Sequence, residues 1–177
     1  MPDVRLYVAV SLDGFLADRE GNVGWLSPYE SEDVGFDDFF ARIGAIITGR
    51  TTYDQARSFT VWPYGTRPMH VLTSRPLETD APAGVVAATG DPAELVARLK
   101  TETDGDIWLL GGGVTAANFL ARDLVDRLEL YIVPELLGFG VRLFPVPGPR
   151  RSLRLAGSRS FANGLVEVVY ERAPPAA

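Results

Sequence analysis

Ile46-Ile47-Thr48-Gly49-Arg50-Thr51-Thr52-Tyr53 is an apolar run that stops at a glycine and continues into helix-compatible residues. It predicts a buried strand over 45–48 and a short helix over 51–57. In that order the backbone N–H groups of Arg50, Thr51 and Thr52 fall at a helix N-terminus. There they are unpaired and sit at the positive end of the helix dipole, so they favour an anion such as phosphate. Arg50 adds a cationic fork and the threonines add hydroxyls. The same order recurs where Ile107-Trp108-Leu109-Leu110 runs into Gly111-Gly112-Gly113-Val114-Thr115, which opens a helix over 114–121. One glycine-rich turn is often only structural. Two in one small chain point to a ligand with several phosphates, such as a dinucleotide.

Working outward, strands are predicted over 4–10, 69–73, 85–88, 106–110 and 128–133. Residues 11–27 read as a long loop. Residues 33–43 place Val34, Phe36, Phe39, Phe40 and Ile43 at helical spacing, so most of these aromatics belong to the core, with one a candidate to line the pocket. Asp91-Pro92-Ala93-Glu94 is a helix start, with Asp91 as cap and Pro92 at the first helical position. Residues 153–161 and 165–172 predict a closing antiparallel hairpin around Asn163-Gly164. Strands alternating with helices give an α/β fold, a mostly parallel central sheet flanked by helices with an antiparallel C-terminal end. In such sheets ligands bind beyond the carboxyl ends of the strands. Asp13, Arg50, Ser74-Arg75, Gly111 to Gly113 and Glu135 each follow a strand, so they gather on one rim.

The length fits a single domain over 1–177, with 174–177 a frayed tail. No apolar run reaches the ~18–20 residues of a membrane span. The N-terminus lacks a signal-peptide plan, and cysteine is absent, which together favour the cytoplasm. Lys and Arg total 17 against 23 Asp and Glu, a net charge of −6. That balance disfavours nucleic acid and anionic membranes as partners. One histidine, His70, lies inside a predicted strand and reads as structural. With no cysteine beside it, no transition-metal site is expected. Nor is there a serine–histidine arrangement for nucleophilic catalysis.

Four motifs also occur in a telling order: Ser11-Leu12-Asp13-Gly14-Phe15-Leu16-Ala17, Gly49-Arg50-Thr51-Thr52-Tyr53, Gly111-Gly112-Gly113, and Pro134-Glu135-Leu136-Leu137-Gly138-Phe139-Gly140. The series resembles the dihydrofolate-reductase-like superfamily and, more narrowly, the reductase domain of riboflavin biosynthesis and its free-standing relatives. The resemblance covers about residues 4–170. It implies a dihydrofolate-reductase-like fold, NADPH as cofactor, a small heterocyclic substrate and a homodimer paired through its sheets. It implies NADPH reduction of 5-amino-6-(5-phosphoribosylamino)uracil, with dihydrofolate as the second enzyme reading and an NADP-binding module without turnover as the third. The zinc deaminase motifs of the bifunctional riboflavin enzymes have no counterpart here, and no firm basic cluster for a substrate ribose phosphate stands out.

On that reading Gly49, Arg50, Thr51, Thr52 and Gly111, Gly112, Gly113, Val114, Thr115 hold the cofactor diphosphate. Thr73, Ser74 and Arg75 grip the ribose 2′-phosphate that separates NADPH from NADH, and Arg50 adds to that preference. Each has a plainer alternative: a salt bridge for Arg50, helix–sheet packing for the glycines, a solvated surface turn for Thr73 to Arg75. Asp13 and Glu135 are the acids that orient a ring by accepting its adjacent N–H groups. The alternatives are a turn residue bonding the backbone near Gly14 and a solvent-facing loop charge. Asp33, expected on the helix before the Gly-Arg turn, is the rival acid of the dihydrofolate reading, or else a helix-start carboxylate. Trp25 and Trp62 are candidates to stack on a flat ligand, with core or lid packing as the alternative.

Overall fold

The computed structural model describes residues 1–173. Strands β1 (Val4–Ser11), β3 (Ile43–Gly49), β4 (Met69–Leu72), β5 (Val85–Ala88), β6 (Asp106–Leu110), β7 (Arg127–Val133), β9 (Leu153–Ser160) and β10 (Val166–Arg172) form one sheet in the order β5-β4-β3-β6-β1-β7-β10-β9. From β5 to β7 every pairing is parallel; β10 and β9 close the sheet in antiparallel fashion. This is the mostly parallel sheet with an antiparallel C-terminal hairpin that the sequence predicts. The tail at 174–177 lies outside the described residues.

Parallel strands need covering on both faces, and the chain supplies two cores. Leu6, Val10, Ile47, Ile107, Leu109, Leu128 and Leu130 point to α3 (Pro92–Glu102) and α4 (Gly113–Ala121), which bury Leu95, Val96, Leu99, Ala116, Phe119 and Leu120 against them. Tyr7, Ile46, Met69, Val71, Trp108 and Tyr131 meet Phe39 of α1 (Phe36–Ala41) and Tyr53 and Ala56 of α2 (Arg50–Arg57) on the other face. Burying each such side chain is worth ~1.5–3 kcal/mol. The chain thus runs outward from β1 through α1 and α2 on one face, then returns through α3 and α4 on the other. The reversal falls where β6 inserts between β3 and β1, the switch point at which such sheets open a crevice.

Local chemistry sets the ends of these elements. Asp91 accepts a hydrogen bond from the Ala93 N–H at 2.9 Å, with Pro92 in the first turn, as expected of a cap. By contrast α2 and α4 start after Gly49 and Gly112, neither of which offers a side-chain cap.

Some expectations change. The 11–27 loop contains β2 (Phe15–Ala17), and a 3-10 helix covers Gly24–Tyr29. β2 pairs with β8 (Val141–Arg142), a two-residue strand too short for a periodic signal. The helix predicted over 33–43 is confined to Phe36–Ala41, because Gly35 takes a left-handed conformation (φ 78°) at its start. Asp33 therefore precedes the helix rather than lying on it.

At the amino ends of the central strands lies a buried ion cluster. Arg5 donates from Nε and Nη2 to the two Glu129 oxygens, both at 2.7 Å, and from Nη1 to Asp106 at 3.1 Å. Arg5 is 8% and Glu129 4% exposed, and the guanidinium stacks 4.7 Å from the Phe39 ring centre. Among the described residues no helix is long and apolar enough to cross a membrane.

Candidate functional site

The two glycine turns meet. β3 and β6 are neighbours, so α2 and α4 start side by side. A Cβ added at Gly49 would stand 2.7 Å from Thr115 Oγ1, and one at Gly112 3.9 Å from Thr52 Oγ1. Two uncapped helix N-termini therefore point at one place, with the Thr52 and Thr115 hydroxyls between them and Val114 81% exposed beside them. Such a pair suits a diphosphate, because backbone N–H groups and two dipoles converge on it.

The same rim carries a strap, residues 134–145, fastened at several points. Both Asp13 oxygens are used: Oδ1 accepts from Ser11 Oγ (2.6 Å) and the Leu137 N–H (3.1 Å), Oδ2 from the Gly138 N–H (2.7 Å). The Leu12 N–H donates to the Glu135 carbonyl at 2.9 Å and the Leu143 N–H to the Gly14 carbonyl at 3.0 Å. Gly140, at φ 150°, passes so close to β2 that a Cβ would stand 2.1 Å from the Ala17 oxygen. Asp13 thus bonds the backbone of the strap rather than its own turn at Gly14. The Ser11 hydroxyl, then the Gly138 and Leu137 amides, hold its carboxyl below its ordinary value of 3.8. A depressed value means that the latch is intact above that pH and loosens only as pH falls through the lowered one.

Glu135 stands at the strap's start, half-buried, and its Oε1 accepts from the Tyr29 hydroxyl at 3.0 Å. Tyr29 comes from the 3-10 helix. Its role has no sequence signal, since the contact spans 106 residues. Glu135 keeps its other oxygen without a hydrogen-bond partner among the described residues. Asp33 is exposed, and its Oδ1 accepts from the Gly35 N–H at 2.9 Å, a local turn just before α1.

Arg50 is the best-tied side chain of the group. Its Nε bonds Asp54 at 2.6 Å, Nη1 the Pro76 carbonyl at 3.0 Å, and Nη2 the Glu78 carboxylate. Glu78 also bonds Arg57 at 3.2 Å, which pairs with Asp80 at 2.9 Å. Asp54 was legible as an i,i+4 partner of Arg50; Glu78, across the rim, was not. Residues 73–75 form a tight turn in which Thr73 Oγ1 accepts from the Arg75 N–H at 3.1 Å. Ser74 and Arg75 are exposed, and Arg75 has no ion pair among the described residues.

His70 is buried, and burial, then the positive Arg98, lowers its pKa, so it is neutral at pH 7. Trp62 packs edge-on against Tyr53 and Tyr64, which fits the core alternative. Cavities of 760 and 540 Å³ open at the opposite end of the sheet, beside Arg151 and Arg172 and beside Thr103 and Asp104. The rim is the candidate site nonetheless. The arginines of the larger cavity are spent on the carbonyls of Leu120, Ala121 and Asp123, whereas the rim offers unspent N–H groups.

The chain is a mostly parallel α/β protein whose two glycine turns meet at the switch point of its sheet. Residues 2–167 match the RibD C-terminal domain, and the chain belongs to that family. It is 34% identical over 170 residues to the uncharacterized protein YwjB of Bacillus subtilis (strain 168), covering 95% of this chain and 97% of that one. It superposes on a Shewanella sp. PV-4 protein provisionally named for riboflavin biosynthesis, with TM-score 0.85 and 31% identity, over 98% of this chain and 100% of the other. A dihydrofolate reductase of Enterococcus faecalis, solved with NADP(H) and RAB-propyl, shares the fold at TM-score 0.69 and 20% identity, with 97% of each chain covered.

Proposed function

We propose that the protein is an NADPH-dependent reductase of a small nitrogen heterocycle, most like a 5-amino-6-(5-phosphoribosylamino)uracil reductase. The observation that carries this reading is the pairing of two uncapped helix N-termini on the rim that also bears Glu135. The residues fit a dinucleotide: the backbone N–H groups of the Gly49–Thr52 and Gly111–Thr115 turns would hold the diphosphate, and the Arg50 guanidinium, with Ser74 and Arg75, the 2′-phosphate. When bound, NADPH supplies the hydride. The chain's own groups bind and orient: Glu135, steadied by Tyr29, accepts ring N–H groups, and Asp13 holds the strap that carries Glu135. The engagement of Asp33 in its own turn weighs against the dihydrofolate reading.

The test is a binding and turnover screen with NADPH, NADH, dihydrofolate and the ribosylamino-uracil phosphate. NADPH should bind about 10- to 100-fold more tightly than NADH, the worth of one charge-assisted phosphate contact, and Arg75→Ala should erase most of that margin. Glu135→Gln and Asp13→Asn should leave NADPH affinity nearly intact and lower turnover by more than about tenfold. Asp13→Asn keeps one acceptor oxygen but sets an N–H donor against a strap N–H, so the strap loosens locally and the loss should appear in kcat. Full turnover in both variants removes the carboxylate role. NADPH binding without turnover of any substrate would favour a nucleotide-binding module.

A homodimer is part of the proposal. β9 is an edge strand, and Leu153, Leu155 and Val166 of the terminal hairpin are 39%, 54% and 37% exposed. A bare apolar edge is normally paired or covered. Light scattering at micromolar concentration should give twice the 19.2 kDa chain mass; a monomer mass rejects the pairing.

A further inference from the structure

We propose that Glu78 is a built-in rival of the ligand's 2′-phosphate for Arg50, and so sets how strongly the site prefers a phosphorylated dinucleotide. This rests on the reading of the rim as a cofactor site. The Arg50 side chain is 16% exposed, and its guanidinium meets two carboxylates and a carbonyl. Arg50 Nη1 is tied to the Pro76 carbonyl at the end of the 73–75 turn, so a phosphate held by Ser74 and Arg75 would draw on the same cation as Glu78. It must either displace Glu78 from Nη2 or bind beside an uncancelled carboxylate. Both weaken it, and neither touches a dinucleotide without that phosphate.

Glu78 is suited to this exchange. It lies on the irregular 73–84 segment, its side chain is 41% exposed, and it holds a second partner, Arg57, to which it can retreat. Asp54 is different: it belongs to the same helix as Arg50 and stays beside it whatever binds. The arrangement keeps Arg50 oriented towards the rim while lowering its net attraction for an anion. NADPH selectivity then sits at the low end of what a free arginine would give.

The experiment titrates NADPH and NADH into the wild type, Glu78→Gln and Asp80→Asn, following nicotinamide fluorescence. Gln keeps the shape and one acceptor oxygen while removing the charge. Glu78→Gln should tighten NADPH about fivefold and move NADH by less than about twofold, the scale of one partly exposed ion pair. Asp80 pairs with Arg57 and not with Arg50, so Asp80→Asn should leave the NADPH:NADH ratio within about twofold of wild type, screened by salt. An unchanged ratio or weaker NADPH binding in Glu78→Gln overturns the rivalry while leaving the cofactor reading in place. An equal gain in Asp80→Asn overturns it in favour of a general field effect. If neither dinucleotide binds any of the three proteins, both the rivalry and the cofactor reading fall.

Discussion

Glu129→Ala should cost about 3–5 kcal/mol of folding stability, the typical penalty for stranding a buried charge. The substitution removes both short bonds to Arg5 and leaves that guanidinium with Asp106 alone, on strands where it is 8% exposed. Arg127, whose Nε lies 3.2 Å from Glu129 Oε1, keeps only its longer contact with Glu171, at 3.5 Å. Two cations then face each other across paired strands, since Arg5 and Arg127 are register partners. The pair need not be net stabilising for this to hold, because its members were desolvated at a cost that their mutual attraction only offsets. The double replacement Arg5→Met with Glu129→Leu should therefore recover most of the loss. Denaturant melts of the three proteins decide the matter. A single variant within about 1 kcal/mol of wild type would show the cluster to be wetter than its burial implies.

Gly113→Ala should destabilise the fold by about 3 kcal/mol and loosen the rim at the same time. The added Cβ would lie 1.9 Å from the Arg142 carbonyl oxygen and 3.0 Å from that of Leu143. Both are backbone atoms, and that backbone is held from behind: Arg142 pairs with Phe15, and the Leu143 N–H donates to Gly14. Neither side can give without breaking a strap bond, so the overpacking falls near or above the ~1–3 kcal/mol of core insertions. Gly112→Ala is the contrast. Its Cβ meets only Thr52 Oγ1 at 3.9 Å, ordinary contact, so its stability should stay within about 1 kcal/mol of wild type. Melting both variants and titrating NADPH into Gly113→Ala tests the pair. Equal stability of the two would mean that the strap is not anchored where it touches α4.

How much of this was written in the sequence depends on the range of each interaction. The strand–glycine–helix turns at Gly49 and Gly111 to Gly113 were legible because an apolar run, a glycine and a helix start are contiguous. So was the Asp91 cap, which is a three-residue event. Their shared rim followed from the rule that parallel strands present their carboxyl ends together. What escaped was long-range. β8 owes its existence to β2, the partner of Asp13 lies 124 residues away at Leu137, and Glu78 reaches Arg50 over 28 residues. No periodicity records such meetings. The helix over 33–43 was overdrawn for another reason: Val34 and Ile43 continue the apolar spacing, but Gly35 and the start of β3 cut the helix at both ends.

The position of β1 has a consequence for how the chain comes to be folded at all. It precedes every other strand of this sheet in the chain and is placed in the middle, with β6 on one edge from Ile107 and β7 on the other from Arg127. A growing chain therefore carries an apolar strand with two open edges until more than half of the protein has followed. Hairpins that close locally never meet this delay; here the loops to be closed are long and their entropy must be met before any contact repays it. Through that interval β1 is a template for wrong partners, including other copies of itself. Its outer strands complete a sheet, but its centre is a seam that only the second half of the polypeptide can sew.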